Sequence, residues 1–243
     1  MLVAPFIGSF LGVLVTRNKD LLSALTGRSK CEACGKSLGA RDLVPLLSWA
    51  GLGGKCRYCK APISLFHPVI ELGAILVALW SATVFSGTPL WISCILGWML
   101  LALAATDILY FLLPDMLTLP LIAGGLLVNA GLDARLLADQ GLGAHLIGAA
   151  AGYAFIRILR FVYSRLRGRE GMGLGDAKLF AAAGAWVSWQ GLPSVLVIAS
   201  LFALAAALVW RGRKIEAAQK VPFGAFLALG LWVIWLYGPL TAG

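Results

Sequence analysis

Eight apolar runs, at about 1–16, 69–86, 90–110, 116–132, 142–163, 174–190, 192–210 and 222–239, dominate this chain. In lipid every backbone N–H and C=O must find its partner within the protein, so runs of this kind fold as helices. The breaks between them carry turn chemistry: Ser86-Gly-Thr-Pro89, Leu113-Pro-Asp115, Gly131 to Gly143, Gly168 to Gly175, Gly191-Leu-Pro193 and Arg211 to Pro222. Only 13% of the 243 residues are charged and 60% are hydrophobic, against about 25% charged in soluble domains. The expected fold is an all-α polytopic membrane protein of about eight transmembrane helices, and a soluble globular domain is excluded. The first run has no basic residue ahead of it and no small-residue cleavage site, and Arg17 and Lys19 follow it, so it reads as an uncleaved anchor. At 1.5 Å per residue it reaches about 24 Å, short of a ~30 Å hydrocarbon core. Gly8 and Gly12 within it, and Gly148 and Gly152 in the run 142–163, have the spacing that lets helices pack closely.

The basic residues orient the helices. Nine Lys and Arg fall in 17–67, six in 157–178 and four in 211–220, whereas the opposite side carries only Arg135, beside Asp133 and Asp139. Basic loops stay in the cytoplasm, so both termini are expected outside. Topology accounts for the whole basic excess, and no nucleic-acid partner is expected. The organisation reads as a first helix at 1–16, a cytoplasmic segment at 17–67, a second helix with its outer loop at 68–89, and a six-helix region at 90–243.

Two carboxylates stand at the ends of apolar runs. Asp107 lies in Leu103-Ala-Ala-Thr-Asp-Ile-Leu109, and Asp176 in Gly173-Leu-Gly-Asp-Ala-Lys-Leu179. The loop orientation puts both at the cytoplasmic end of their helices. An ionisable group at the bilayer centre costs roughly 2.5–3.5 kcal/mol on insertion scales, so two on separate helices suggest a site. Facing one another, they would form an aspartyl dyad, one carboxylate acting as base and the other, protonated, as acid. The bland reading makes Asp176 a helix-terminal residue satisfying backbone N–H groups. Asp115, after Pro114, reads as the cap of the next helix.

The segment between the first two helices holds Cys31-Glu-Ala-Cys34 and Cys56-Arg-Tyr-Cys59, a C-x2-C-x21-C-x2-C pattern. Each pair can bend two thiolates onto one ion, which suits tetrahedral zinc. Disulfides are the alternative, and a reducing cytoplasmic segment disfavours them. About fifty residues build little core of their own, so a zinc staple is expected here. Cys94 lies in an apolar helix and reads as packing.

Taken together, these features resemble the type 4 prepilin peptidases, bacterial intramembrane aspartyl proteases of the Gly-x-Gly-Asp type. Nearly the whole chain carries the resemblance: Gly8-Ser-Phe-Leu11, the four cysteines, Pro45-Leu-Leu-Ser-Trp49, Cys59-Lys-Ala-Pro-Ile-Ser64, His67-Pro-Val-Ile-Glu71, Asp107 with Leu113-Pro-Asp115, Gly173-Leu-Gly-Asp-Ala-Lys-Leu179, and Pro222-Phe-Gly224. The chain departs from the family pattern at Gly12, His67 and Ala225. The resemblance implies a multi-pass inner-membrane enzyme with its active site at the cytoplasmic face. It would remove the short basic leader of type IV prepilin or type II secretion pseudopilin precursors, then N-methylate the new N-terminus with S-adenosylmethionine. Only the resemblance implies that cofactor. Asp107 and Asp176 would be the catalytic pair. Gly173 and Gly175 would let the backbone near Asp176 approach an extended substrate. Lys178 would tune the dyad or snorkel to the interface, and Pro222, Phe223 and Gly224 would line the cleft or simply start a helix. Glu71 would serve methyl transfer, holding the substrate amine, or else favour its own helix dipole. A peptidase without methyl transfer is one alternative. A proton-coupled membrane carrier using the two acids as a relay is another, disfavoured by the lack of a long internal repeat.

Overall fold

The computed structural model describes residues 3–17, 29–31, 33–131, 141–168, 173–211 and 221–240. Among them the fold is helical apart from two isolated antiparallel bridges. The helices are α1 (Ala4–Thr16), α2 (Leu47–Gly51), α3 (Phe66–Val84), α4 (Thr88–Tyr110), α5 (Asp115–Gly131), α6 (Leu142–Arg167), α7 (Leu174–Arg211) and α8 (Phe223–Tyr237), with a 3-10 turn at Ala40–Asp42. Four of them, α3, α4, α6 and α7, are long and apolar enough to cross a membrane, while α1, α5 and α8 are apolar but shorter. The loop around Arg135, the basic stretch 212–220, and Lys19, Arg28, Arg169 and Gly171 lie outside the described residues.

The chain divides into two compact units, residues 1–105 and 106–243. In the first, α1 lies along α3. A Cβ on Gly8 would come within 2.6 Å of the Glu71 Cα and 3.0 Å of the Ala74 Cβ, so only glycine permits this approach. One turn on, Gly12 faces His67 and Ile70. Two of the positions where this chain departs from the family pattern therefore meet. The Trp98 indole N–H of α4 donates to the Ala74 carbonyl of α3 at 3.0 Å, closing the apolar layer behind them.

In the second unit α6 and α7 pack backbone against backbone. A Cβ on Gly184 would overlap the Gly148 carbonyl, and one on Gly152 would sit 2.6 Å from the Phe180 oxygen. The expected Gly148–Gly152 pair is thus a packing device. On the other side the Trp186 indole donates to the Leu121 carbonyl of α5 at 2.8 Å. Although α7 is 38 residues long, Val187 and Ser188 have non-helical backbone, Ser188 at φ +58°. Trp186 meets Trp235 of α8 at 5.0 Å between ring centroids. Beyond the break, a Cβ on Gly230 would lie 2.6 Å from the Val195 oxygen and 3.4 Å from the Ala199 nitrogen, and Leu240 N–H donates to Ser194 Oγ at 3.1 Å. Across this break α7 changes direction. The sequence suggests a turn at Gly191-Leu-Pro193; the break comes earlier, at Val187 and Ser188. At the break the Ala185 carbonyl accepts from Asn129 Nδ2 at 3.2 Å and from His145 Nδ1 at 3.1 Å, two polar side chains in an otherwise apolar layer.

Candidate active site and metal centre

The two aspartates nominated by the sequence both belong to the second unit. Asp107, one turn before the end of α4, and Asp176, in the first turn of α7, are 6% and 9% exposed. They lie close enough to act electrostatically on one another. Asp107 Oδ2 accepts the Ala225 N–H of α8 at 3.0 Å, and Asp176 Oδ2 accepts the Gly173 N–H at 3.1 Å. The bland helix-terminal role expected of Asp176 is therefore present, using one oxygen and leaving the other.

Leu113, which has no ionisable or polar group to mark it in the sequence, packs against the glycines next to this pair. After Asp107 the chain turns sharply: Phe111 adopts φ +52° and its N–H returns to the Asp107 carbonyl at 2.9 Å. This turn drives Leu113 inward, 8% exposed, against two glycines. A Cβ on Gly175 would lie 2.7 Å from the Leu113 Cβ, and one on Gly224 would lie 2.8 Å from its Cδ1 and 3.0 Å from Asp107 Oδ2. Glycine at both positions lets three chain segments converge beside the two carboxylates. Pro222 precedes α8 as its N-cap and Phe223 is its first residue, so this motif delivers Gly224 to Asp107 as well as starting a helix. Lys178 Nζ pairs with Asp115 Oδ1 at 2.5 Å, tying α7 to the start of α5.

The cysteine segment belongs to the first unit. It is built twice over. Residues 29–38 and 54–63 share one hydrogen-bond scheme: Leu38 N–H to Ser29 O and Ile63 N–H to Gly54 O, Cys31 N–H to Lys36 O and Cys56 N–H to Ala61 O, with bridges Lys30–Ser37 and Lys55–Pro62. Gly35 and Lys60, each just after the second cysteine of its pair, both have positive φ, +68° and +61°. The four Sγ atoms converge within 4.8 Å of one another. Cys31 and Cys59 Sγ are 3.8 Å apart, far beyond a disulfide bond of about 2.05 Å. Tetrahedral thiolates at the usual Zn–S length stand about 3.8 Å apart, so the donor set fits such an ion. The backbone N–H groups of Cys59 and Tyr58 draw the Cys56 thiol down to about 7. Although the Ala61 N–H favours its thiolate, burial and the neighbouring thiols push Cys59 up to about 11. One thiolate is thus prepared, and a cation would replace the protons the others share. The Arg57 guanidinium, 2.6 Å from Asp42, holds that carboxyl below its usual range and ties the 3-10 turn to the second knuckle.

Glu71 belongs to the first unit. It is the sixth residue of α3, and its Oε2 accepts the Leu46 N–H at 2.8 Å, 25 residues earlier in sequence, in place of a bond within its own first turn. Leu46 has φ +59°, so the carboxylate pins a strained turn at the head of α2.

Residues 2–85 match the Bacterial Peptidase A24 N-terminal domain, and residues 94–208 match the Type IV leader peptidase family. The chain is 42% identical to a prepilin leader peptidase/N-methyltransferase of Aeromonas hydrophila over 214 residues, 87% of this chain and 72% of that protein. A protein of the same description from Pectobacterium carotovorum is 38% identical over 83% of this chain and 71% of its own length. One from Pseudomonas aeruginosa is 34% identical over 98% of this chain and 89% of its own. No solved structure matches the chain.

Proposed function

The chain belongs to the type IV leader peptidase family, and on that premise we propose that it removes the leader of prepilin-type precursors and N-methylates the N-terminus so exposed. The observation that carries the proteolytic half is the meeting of Asp107 and Asp176 from separate helices, with Gly175 and Gly224 admitting Leu113 close beside them. In this reading the ionised aspartate takes a proton from water as the water oxygen bonds to the scissile carbonyl carbon. The other, protonated, donates its hydrogen to the carbonyl oxygen. Collapse of the tetrahedral adduct breaks the C–N bond, and a proton passes to the leaving nitrogen, giving a carboxyl group and a free amine. Gly173 fixes Asp176 through its N–H, and Gly175 and Gly224 admit Leu113 beside the pair. Pro222 and Phe223 set the position of Gly224, and Lys178 acts through Asp115.

The four cysteines hold zinc as a structural ion, which suits their spacing and the 3.8 Å sulfur separation. For the methyl-transfer half the cofactor is S-adenosylmethionine and the candidate residue is Glu71. When bound, that cofactor would supply an electrophilic methyl group for the new N-terminal amine, and Glu71 would face it. The chain resides in the bacterial inner membrane as eight spans with the dyad at the cytoplasmic face. The break in α7 between two apolar runs supports the eighth span, and the Lys and Arg distribution supports the orientation. The test is a mass-spectrometric time course of purified protein with a precursor peptide and S-adenosylmethionine. It should show leader loss followed by a gain of one methyl; an uncut precursor would sink the reading.

A further inference from the structure

We propose that a cavity of about 510 Å³ in the first unit is the seat of the methyl donor, its cationic sulfonium held against Glu71. The inference rests on the methyl-transfer half of the reading above and gives it a place.

The volume lies within the range of small-molecule sites, roughly 300–1,000 Å³. Helix α1, the head of α3, helix α2 and both cysteine knuckles wall the cavity, so it suits a discrete molecule more than a continuous peptide. Three features define what it would bind. Glu71 lines it, 6% exposed, with Oε2 engaged by the Leu46 N–H; among the described residues no cation pairs with the carboxylate and nothing engages its other oxygen. A buried carboxylate in that state is costly unless a positive group comes to face it. Trp49 lines the same cavity. Its ring lies against the backbone of Gly54, where a Cβ would come within 3.0 Å, and its enclosed indole N–H has no acceptor among the described residues. It therefore offers an aromatic face to a cation and a donor to a polar ligand atom. Finally, Lys30 also lines the cavity, as does Arg17, which has a partner of its own, while Arg57 is committed to Asp42. A buried negative group with positive groups elsewhere in one cavity matches a ligand that carries a sulfonium and a carboxylate on one frame. The knuckles supply part of the wall, through Cys31 and Cys56. Metal at the four thiols would thus shape this cavity without touching the ligand.

Equilibrium dialysis of the full chain in lipid nanodiscs tests this directly, with labelled S-adenosylmethionine and, separately, S-adenosylhomocysteine, whose thioether lacks the sulfonium charge. Glu71→Gln keeps an acceptor for Leu46 and removes only the charge. It should weaken S-adenosylmethionine by about thirtyfold, as loss of one partner of a buried charge pair does, and weaken the thioether analogue far less. Trp49→Phe should weaken both, and Leu72→Ala, half exposed on the same helix, should change neither. Zinc content measured in every variant reports whether the segment is intact. If the unmutated protein methylates cut peptide while both site variants bind like wild type, the donor sits elsewhere and this inference fails alone. If it neither binds S-adenosylmethionine nor methylates, the methyl-transfer reading fails with it. Equal weakening of both ligands by Glu71→Gln would leave no charge contact and would overturn the assignment.

Discussion

At the scale of single residues, the carboxylates divide by what surrounds them. Asp107 and Asp176 are buried and each accepts one backbone N–H, whereas the Asp115 side chain is 58% exposed and pairs with Lys178. Asn in place of either buried aspartate cannot exchange the required proton, so Asp107→Asn and Asp176→Asn should each lower the cleavage rate by about 10²–10⁴ or more. Asp115→Asn removes a partly exposed ion pair worth about 0–1 kcal/mol and should cost less than about tenfold. Initial rates on a precursor peptide, with equal yields of inserted protein, check both; a fully active Asp107→Asn would remove the dyad from the mechanism. These aspartates were legible in the sequence because lipid tolerates few ionisable groups without a reason. The partners were not. Lys178 finds Asp115 across 63 positions, Glu71 finds Leu46 across 25, and Ala225 finds Asp107 across 118. No local pattern encodes such distances, which is why Glu71 reads from sequence as a partner of its own helix dipole. The inward turn of Leu113 likewise follows from Phe111 in the left-handed region, a conformation that side-chain identity there does not announce.

At the scale of elements, the cysteine knuckles and α7 differ in how far composition could reach them. Spacing alone was enough to foresee the convergence of four thiols, since a C-x2-C turn has few ways to fold around one ion. The duplicated ten-residue scheme was not foreseen, because outside the cysteines residues 29–38 and 54–63 share little sequence. With almost no apolar core beneath them, the two copies would depend on an ion held by the four thiols. Stripping metal with a strong chelator should therefore expose all four thiols to alkylation and make 29–63 sensitive to protease. Cleavage by the second unit should survive. Elemental analysis of protein purified without chelator should give one zinc per chain, and its absence would overturn the staple. In α7 the two apolar runs were readable, but the position of the break between them was not. Gly191-Leu-Pro193 carries the turn-like residues, yet the helical pattern runs through them, and the break falls where the backbone of Gly148 presses on Ser188 and Trp189.

At the scale of the whole molecule, the proposed eight-span topology can be read from outside. Single cysteines introduced at Gly87 and Trp189 of a chain lacking its native cysteines should label with an impermeant reagent on intact spheroplasts. One at Ser37 should label only after the membrane is opened. Labelling of Trp189 from the cytoplasmic side would mean that α7 crosses in one direction and that the eight-span reading is wrong. The short helices have a consequence of another kind. At 1.5 Å per residue, the 13 residues of α1, 17 of α5 and 15 of α8 reach only about 20, 26 and 23 Å, against a hydrocarbon core of ~30 Å. In the eight-span reading, lipid beside such helices would compress to meet them, at a cost that grows with each ångström of mismatch. A bilayer pinched in this way would carry water nearer to a peptide bond at the edge of a membrane-embedded substrate helix. The enzyme would then be tuned to membrane thickness: turnover in shorter-chain lecithin vesicles should match or exceed that in longer-chain ones, and a steep rise with chain length would contradict it.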